Sequence, residues 1–279
     1  MTTVAQAMQA SGLPALDASV LMRHVLGWSA AQLISRAQES MAPHAVESYQ
    51  AAVARRAAGE PVAYIVGARE FFSLEFKVSP AVLIPRPETE LLVEFALEHF
   101  APDSACRVLD LGTGSGCIAI SIARHRPHAH IVAVDSSVAA LEVARDNARR
   151  HAASAIEFVH SDWFDALAGR QFDLIVANPP YIAAGDPHLE LGDLRFEPAA
   201  ALRGGDDGLA CIRLIVASAP QYLAHGGWLA FEHGYDQSER AREILTAAGF
   251  VSILSRRDVA GIERLAGARS SLTHQDGPA

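Results

Sequence analysis

Beyond residue 106 the chain alternates between short, nearly unbroken apolar runs and longer stretches in which apolar residues recur every three or four positions. The runs suit strands buried on both faces, and the longer stretches suit helices laid against a sheet. Strands are expected over 107–111, 130–134, 155–159, 172–177, 226–232, 251–255 and 263–269. Helices are expected near 116–125, 137–151, 207–224 and 236–248. An alternation of this kind predicts a doubly wound α/β sheet, in which ligands bind at the carboxyl ends of the strands.

The first 60 residues are Ala-rich and follow a helical rhythm throughout. Thr2 or Thr3 can cap a first helix that closes at Gly12, Asp17 a second that stops at Gly27, and Ser29 a third. Pro43 opens a fourth helix that runs to near Gly59. Capping oxygens at the starts and glycines at the ends satisfy the backbone groups that a helix leaves open. Met22 and Met41 read as core residues, and nothing in this part suggests chemistry. Residues 61–85 are β-prone around Ser73 and predict a short hairpin and connector. Leu83-Ile84-Pro85-Arg86-Pro87-Glu88-Thr89-Glu90 then leads stiffly into a helix over roughly 88–100, with acidic residues in its first turn. The organisation expected is a helical unit over 1–60, a connector over 61–85 and an α/β domain over 86–279, its polar end from Ser270 frayed.

Composition narrows the function classes. Half of the residues are hydrophobic, enough for a large core, yet no run approaches the roughly 18 apolar residues that span a bilayer. Met1-Thr2-Thr3-Val4-Ala5-Gln6 lacks the basic start and apolar centre of a signal peptide, so a cytoplasmic enzyme is expected. Net charge is −9 and Lys77 is the only lysine, which argues against a broad nucleic-acid surface. The three cysteines form no CxxC pair, and His128 and His130 have no acidic or thiol partner at ligand spacing, so neither a disulfide nor a metal site is expected.

Candidate chemistry sits at the strand ends. Asp110-Leu111-Gly112-Thr113-Gly114-Ser115-Gly116 closes the first strand with a GxGxG turn, whose glycines permit positive φ and close approach to a ligand. It is neither a dinucleotide GxGxxG nor a triphosphate loop, since no Lys-Ser/Thr follows. The second strand ends at Asp135, about 20 residues past the glycines, where a carboxylate can accept both hydroxyls of a ribose. Asp162 and Trp163 follow the third strand and offer an acceptor for an adenine amino group and an aromatic face. The fourth strand, Phe172-Asp173-Leu174-Ile175-Val176-Ala177, runs into Asn178-Pro179-Pro180-Tyr181. Each proline restricts the residue before it and neither has an N–H, so the loop is rigid and rich in acceptors. Such a loop can hold an NH₂ group by its hydrogens. Four strand ends converging on one edge predict an S-adenosylmethionine site formed by the Gly112-Thr113-Gly114-Ser115-Gly116 turn, Asp135, Asp162 with Trp163, and the Asn178-Pro179-Pro180-Tyr181 loop. An amino-methyltransferase of nucleic acids and a non-enzymatic S-adenosylmethionine-binding scaffold remain open at this point. Arg86, Glu197 and His233 are further polar candidates whose roles the pattern leaves open.

The chain resembles the protein-(glutamine-N5) methyltransferases that modify peptide chain release factors, the PrmC/HemK family. Carrying that resemblance are Gly59-Glu60-Pro61-Val62-Ala63-Tyr64, Ile84-Pro85-Arg86-Pro87-Glu88-Thr89-Glu90, the Asp110–Gly116 turn, Ser161-Asp162-Trp163-Phe164, Asn178-Pro179-Pro180-Tyr181-Ile182, Arg195-Phe196-Glu197-Pro198 and Glu232-His233-Gly234. It implies a Rossmann-like class I S-adenosylmethionine-dependent methyltransferase domain with a seven-stranded mixed sheet, preceded by a small helical domain that docks the substrate. It also implies S-adenosylmethionine as cofactor and, as acceptor, the glutamine side chain in the Gly-Gly-Gln loop of class-1 release factors. The expected protein acts as a monomer on a protein partner, without direct nucleic-acid or membrane contact.

Overall fold

A computed structural model describes residues 2–271. Five helices make up the N-terminal part: α1 (Val4–Ala10), α2 (Ala15–Leu26), α3 (Ala30–Ser35), α4 (Pro43–Ala57) and α5 (Val62–Val66). Thr3 and Ser29 cap α1 and α3 in full capping boxes, each returning a bond from a glutamine three residues on. Asp17 does not cap α2: that helix starts earlier, after Pro14, and Asp17 lies in its favourable acidic first turn. The fifth helix, closed by Gly67 at φ 73°, forms in a stretch expected to be connector. Val4, Leu21, Met22, Leu33, Met41 and Tyr49 fill the core of this unit. The unit runs to Ala68 and also takes in Glu190–Phe196 from far along the chain. Arg56 binds that segment through Asp193 and α2 through Asp17, both at 2.7 Å.

The second unit begins with the hairpin β1 (Ala68–Phe71) and β2 (Leu74–Lys77), turning at Phe72 and Ser73 with positive φ at both. A short 3₁₀ turn over Pro87–Thr89 leads into α6 (Glu90–His99). Then follow β3 (Arg107–Leu111), α7 (Cys117–His125), β4 (His130–Asp135), α8 (Val138–Arg150), β5 (Glu157–His160) and β6 (Phe172–Ala177). The chain closes with α9 (Ala210–Ser218), β7 (Leu223–Glu232), α10 (Ser238–Ala247), β8 (Val251–Arg257) and β9 (Glu263–Arg269). Seven strands form one mixed sheet in the order β5-β4-β3-β6-β7-β9-β8, with β9 antiparallel to both its neighbours.

Alternation along the strands divides the core between the two faces of this sheet. Val108, Leu174 and Ala230 pack with α6 and α7 and with Phe71 and Phe76 of the hairpin. Leu109, Leu111, Ile175 and Phe231 pack with α9 and α10 on the other face. Each fully buried side chain of this size contributes about 1.5–3 kcal/mol. The order reverses next to β3: β4 lies on one side of it and β6 on the other. The crevice at their carboxyl ends is therefore the switch point where such sheets bind ligands. Ser270 is buried, and its N–H donates to Gly227. Of the tail expected to fray, residues 272–279 lie outside those described. Among the described residues no helix is long and apolar enough to cross a membrane.

Candidate active site

The turn after β3 is built on a buried carboxyl. Asp110 is fully enclosed, and its Oδ2 accepts the Thr113 hydroxyl at 2.7 Å and the Ala119 N–H at 3.3 Å. Burial pushes this carboxyl up to about 7. Gly112, Gly114 and Gly116 all take positive φ, at 71°, 53° and 81°. At Gly116 space is also limiting: an added Cβ would come within 2.9 Å of Ile120 and 3.2 Å of Ala144 on α8. At Gly112 and Gly114 an added Cβ would meet nothing within 4 Å, so the turn is open above them.

Asp135 ends β4 and faces that turn. Its two oxygens accept the N–H groups of Gly114 and Ser137, each at 2.9 Å. Ser137, and not Asp135, supplies the side-chain cap of α8. Burial raises the Asp135 carboxyl, and those two hydrogen bonds oppose the rise. An ionised carboxylate has about four acceptor sites, so two remain for the hydroxyls of a ribose. After β5, Trp163 is held at φ 45°, in a region a bulky residue enters only when its surroundings impose it. The Ser161 hydroxyl donates to its carbonyl at 3.0 Å.

These groups share one cavity of about 390 Å³, within the usual range for a small-molecule site. Of the residues expected from the sequence, Gly112, Thr113, Gly114 and Ser115 line it, as do Asp135, Asp162, Trp163, Asn178 and Pro180. Gly116, Pro179 and Tyr181 are not on its wall. His233 also stays away: it is buried, its Nδ1 lies 2.9 Å from the Gly234 carbonyl oxygen, and its Nε2 has no partner. Arg86 lines the cavity and pairs with Glu197, whose other oxygen accepts the Ile84 N–H at 3.0 Å. Glu197 thereby ties the segment before α6 to Pro198 and Ala201, which also line the cavity.

Asn178, at the end of β6, is oriented by residues that sequence reasoning passed over. Its Nδ2 donates to the Thr89 hydroxyl at 3.0 Å, and Thr89 donates to Glu232 Oε2 at 2.6 Å. Glu232 Oε1 accepts the Tyr181 hydroxyl at 2.9 Å. Burial lifts the Glu232 carboxyl to about 7 and, with that carboxyl beside it, lifts the Tyr181 phenol well above its ordinary value. Glu232 ends β7 as Asp135 ends β4, so the rule that singled out Asp135 also points to it. Thr89 lies in the Ile84–Glu90 run that carries the family resemblance, but nothing local in that run singles it out.

The loop after β6 is braced from its far side. Ile182 pairs with Arg203, exchanging bonds with Leu202 and Gly204, and Gln237 Nε2 donates to the Tyr181 carbonyl at 2.9 Å. The mixed sheet, its glycine turn and its strand-end carboxylates define a class I S-adenosylmethionine-dependent methyltransferase. A family model for a methyltransferase small domain matches residues 88–205, and one for a PrmC N-terminal domain matches residues 2–67. Release factor glutamine methyltransferase of Burkholderia pseudomallei (strain K96243) is 55% identical over 273 residues, covering 96% of each chain. The enzyme of that name from Escherichia coli (strain K12) is 44% identical over 258 residues, covering 92% of this chain and 93% of its own. The chain belongs to the release factor glutamine methyltransferase family. A methyltransferase from Pyrococcus furiosus shares the fold alone, with 18% identity and a TM-score of 0.55 over 78% of this chain and 98% of its own.

Proposed function

We propose that the chain transfers a methyl group from S-adenosylmethionine to the side-chain amide nitrogen (N5) of the glutamine in the Gly-Gly-Gln loop of class-1 release factors. One observation carries this reading: Asn178 lines the cofactor cavity with its amide oxygen free of any donor among the described residues. Asn178 commits its NH₂ to Thr89, and no described residue donates to its Oδ1. An oxygen so placed suits an NH₂ group as its partner.

The Gly112–Gly116 turn, Asp135, Asp162 and Trp163 would hold the cofactor. When bound, S-adenosylmethionine supplies an electrophilic methyl group on a positively charged sulfur. An amide nitrogen is a weak nucleophile, since its lone pair is delocalised on the scale of the ~18–20 kcal/mol rotation barrier. Asn178 Oδ1 and the Pro179 carbonyl accept the two amide hydrogens, which fixes the direction of the nitrogen lone pair. Pro180 keeps that carbonyl in place, and Tyr181 covers the planar amide and excludes water. Orientation of this kind is worth on the order of 7–11 kcal/mol in well-aligned reactions. The nitrogen held by Asn178 and Pro179 would take the methyl of the bound cofactor, with the methyl–sulfur bond breaking, and the surplus proton on nitrogen would leave for solvent. No strong base is needed before transfer.

The helical unit docks the release factor, and the enzyme works as a cytoplasmic monomer without direct nucleic-acid contact. The test is transfer of label from the cofactor to a release factor, repeated with its Gly-Gly-Gln glutamine replaced. Label that persists on the altered factor overturns the acceptor. Asn178→Ala is expected to lower kcat about 100-fold or more while cofactor Kd, measured by calorimetry, stays near the wild-type value.

A further inference from the structure

The Asn178 side chain can point either of its two ends at Thr89. Amide oxygen and nitrogen are nearly the same in shape, so only hydrogen-bond partners choose between them. Thr89 has a single hydroxyl proton, and that proton goes to Glu232 Oε2 at 2.6 Å. The Thr89 oxygen is left with lone pairs alone, and it can face only a donor. Asn178 must therefore present Nδ2, at 3.0 Å, which leaves Oδ1 for the substrate. Glu232 Oε1 meanwhile accepts the Tyr181 hydroxyl at 2.9 Å.

We propose that Glu232 is a positioning residue for methyl transfer, fixing through Thr89 which end of the Asn178 amide meets the substrate and holding Tyr181 through the same carboxylate. The proposal rests on the reading of Asn178 as the acceptor for the substrate NH₂ group. Its reach is long: Thr89 and Glu232 are 143 positions apart, and Asn178 is 89 from Thr89.

The chemistry demands a carboxylate. An ionised Glu232 accepts from both hydroxyls at once. A protonated Glu232, or a glutamine of the same shape, carries a donor at one end and must turn one hydroxyl away. If Thr89 turns, its proton becomes free for Asn178 Oδ1 and the amide can flip. The charged groups facing Glu232 are Glu88 before α6, which raises its pKa, and Arg264 on β9, which lowers it. The Cys117 thiol of α7 also feels its charge, and Arg86 and Arg264 act on Tyr181. With Glu232 lifted by burial to about 7, its ionised share rises across neutral pH.

The experiment compares wild type with Glu232→Gln, Thr89→Val and Thr89→Ser, reading kcat against pH, cofactor Kd and thermal melting. Glu232→Gln and Thr89→Val are expected to lower kcat about 10- to 100-fold, with cofactor Kd little changed and a single cooperative melt retained. The rise of wild-type kcat through pH ~7 disappears in Glu232→Gln. Thr89→Ser keeps the hydroxyl and restores most of the activity. Wild-type kcat and pH profile in Glu232→Gln overturn the proposal. So does an equal loss of cofactor affinity, which would mark a residue that only holds the fold together. The proposal is judged on the ratio of variant to wild type with the acceptor that takes label. The identity of that acceptor is judged on wild type alone, so the two failures are distinct.

Discussion

Buried carboxyls dominate the residue scale. Asp110 and Glu232 are almost completely enclosed, and both are pushed up to about 7 by burial. In the unfolded chain such groups titrate near 4. Between pH ~4 and ~7 the folded state therefore holds more protons than the unfolded state, and these two groups lose stability as pH rises. For Asp110 the cost at pH 8 is on the order of 4 kcal/mol. Asp110→Asn removes that term, and its oxygen can still accept from Thr113 or Ala119. The variant's Tm relative to wild type, by calorimetry without cofactor, should climb from pH 5 to about pH 7 and level off above it. A constant difference across that range would remove burial of charge as the cause. The sequence displayed Asp110, Asp135 and Asn178 as polar residues closing apolar runs, a local signal. Thr89 carried none, because its meaning comes only from Glu232, far away along the chain.

At the scale of elements, strand and helix ends were legible to within a few residues. Apolar periodicity and capping oxygens act over one or two turns and need no distant partner. Three boundaries departed from expectation, among them the helix expected over 207–224, which ends at Ser218 with β7 already begun at Leu223. The helix at Pro14 starts before Asp17 because proline suits the start of a helix, and Val62–Val66 turns helical between Pro61 and Gly67. The bracing of the loop after β6 was not legible, since it depends on how closely 202–208 approaches 180–182. A Cβ on Gly204 would lie 2.5 Å from the Pro180 oxygen and 2.8 Å from Tyr181 Cα, both backbone atoms that cannot swing aside. Gly204→Ala should cost about 1–3 kcal/mol in a urea melt and lower kcat in the methyl-transfer assay, with cofactor Kd less affected. Unchanged stability and kcat would show that the loop tolerates a shifted brace.

For the whole molecule, the fold leaves the acceptor undecided. One fold supports many acceptors. The net charge of −9 and the helical unit support the proposed protein acceptor. That unit leaves Ile34 at 80% and Leu16 at 73% exposure, and under the proposed docking role these side chains would meet the partner. Ile34→Glu is expected to raise KM for the release factor several-fold, leaving cofactor Kd and the far-UV spectrum unchanged. An unaltered KM would take Ile34 out of the docking surface.

Local patterning along the chain was enough to establish the alternating α/β order, the helical unit before it, the glycine turn and the acceptor loop. Each of these follows from residues within a few positions of one another, where periodicity, capping and proline stiffness act. Tertiary structure alone decided that nine of the expected site residues share one cavity wall, and that Tyr181 turns its hydroxyl to Glu232. It also decided that Asn178 commits its Nδ2 to the Thr89 hydroxyl. Hydrogen bonds depend on distance in space, and folding brings residues 89, 178, 181 and 232 within reach of each other although no spacing in the sequence records it.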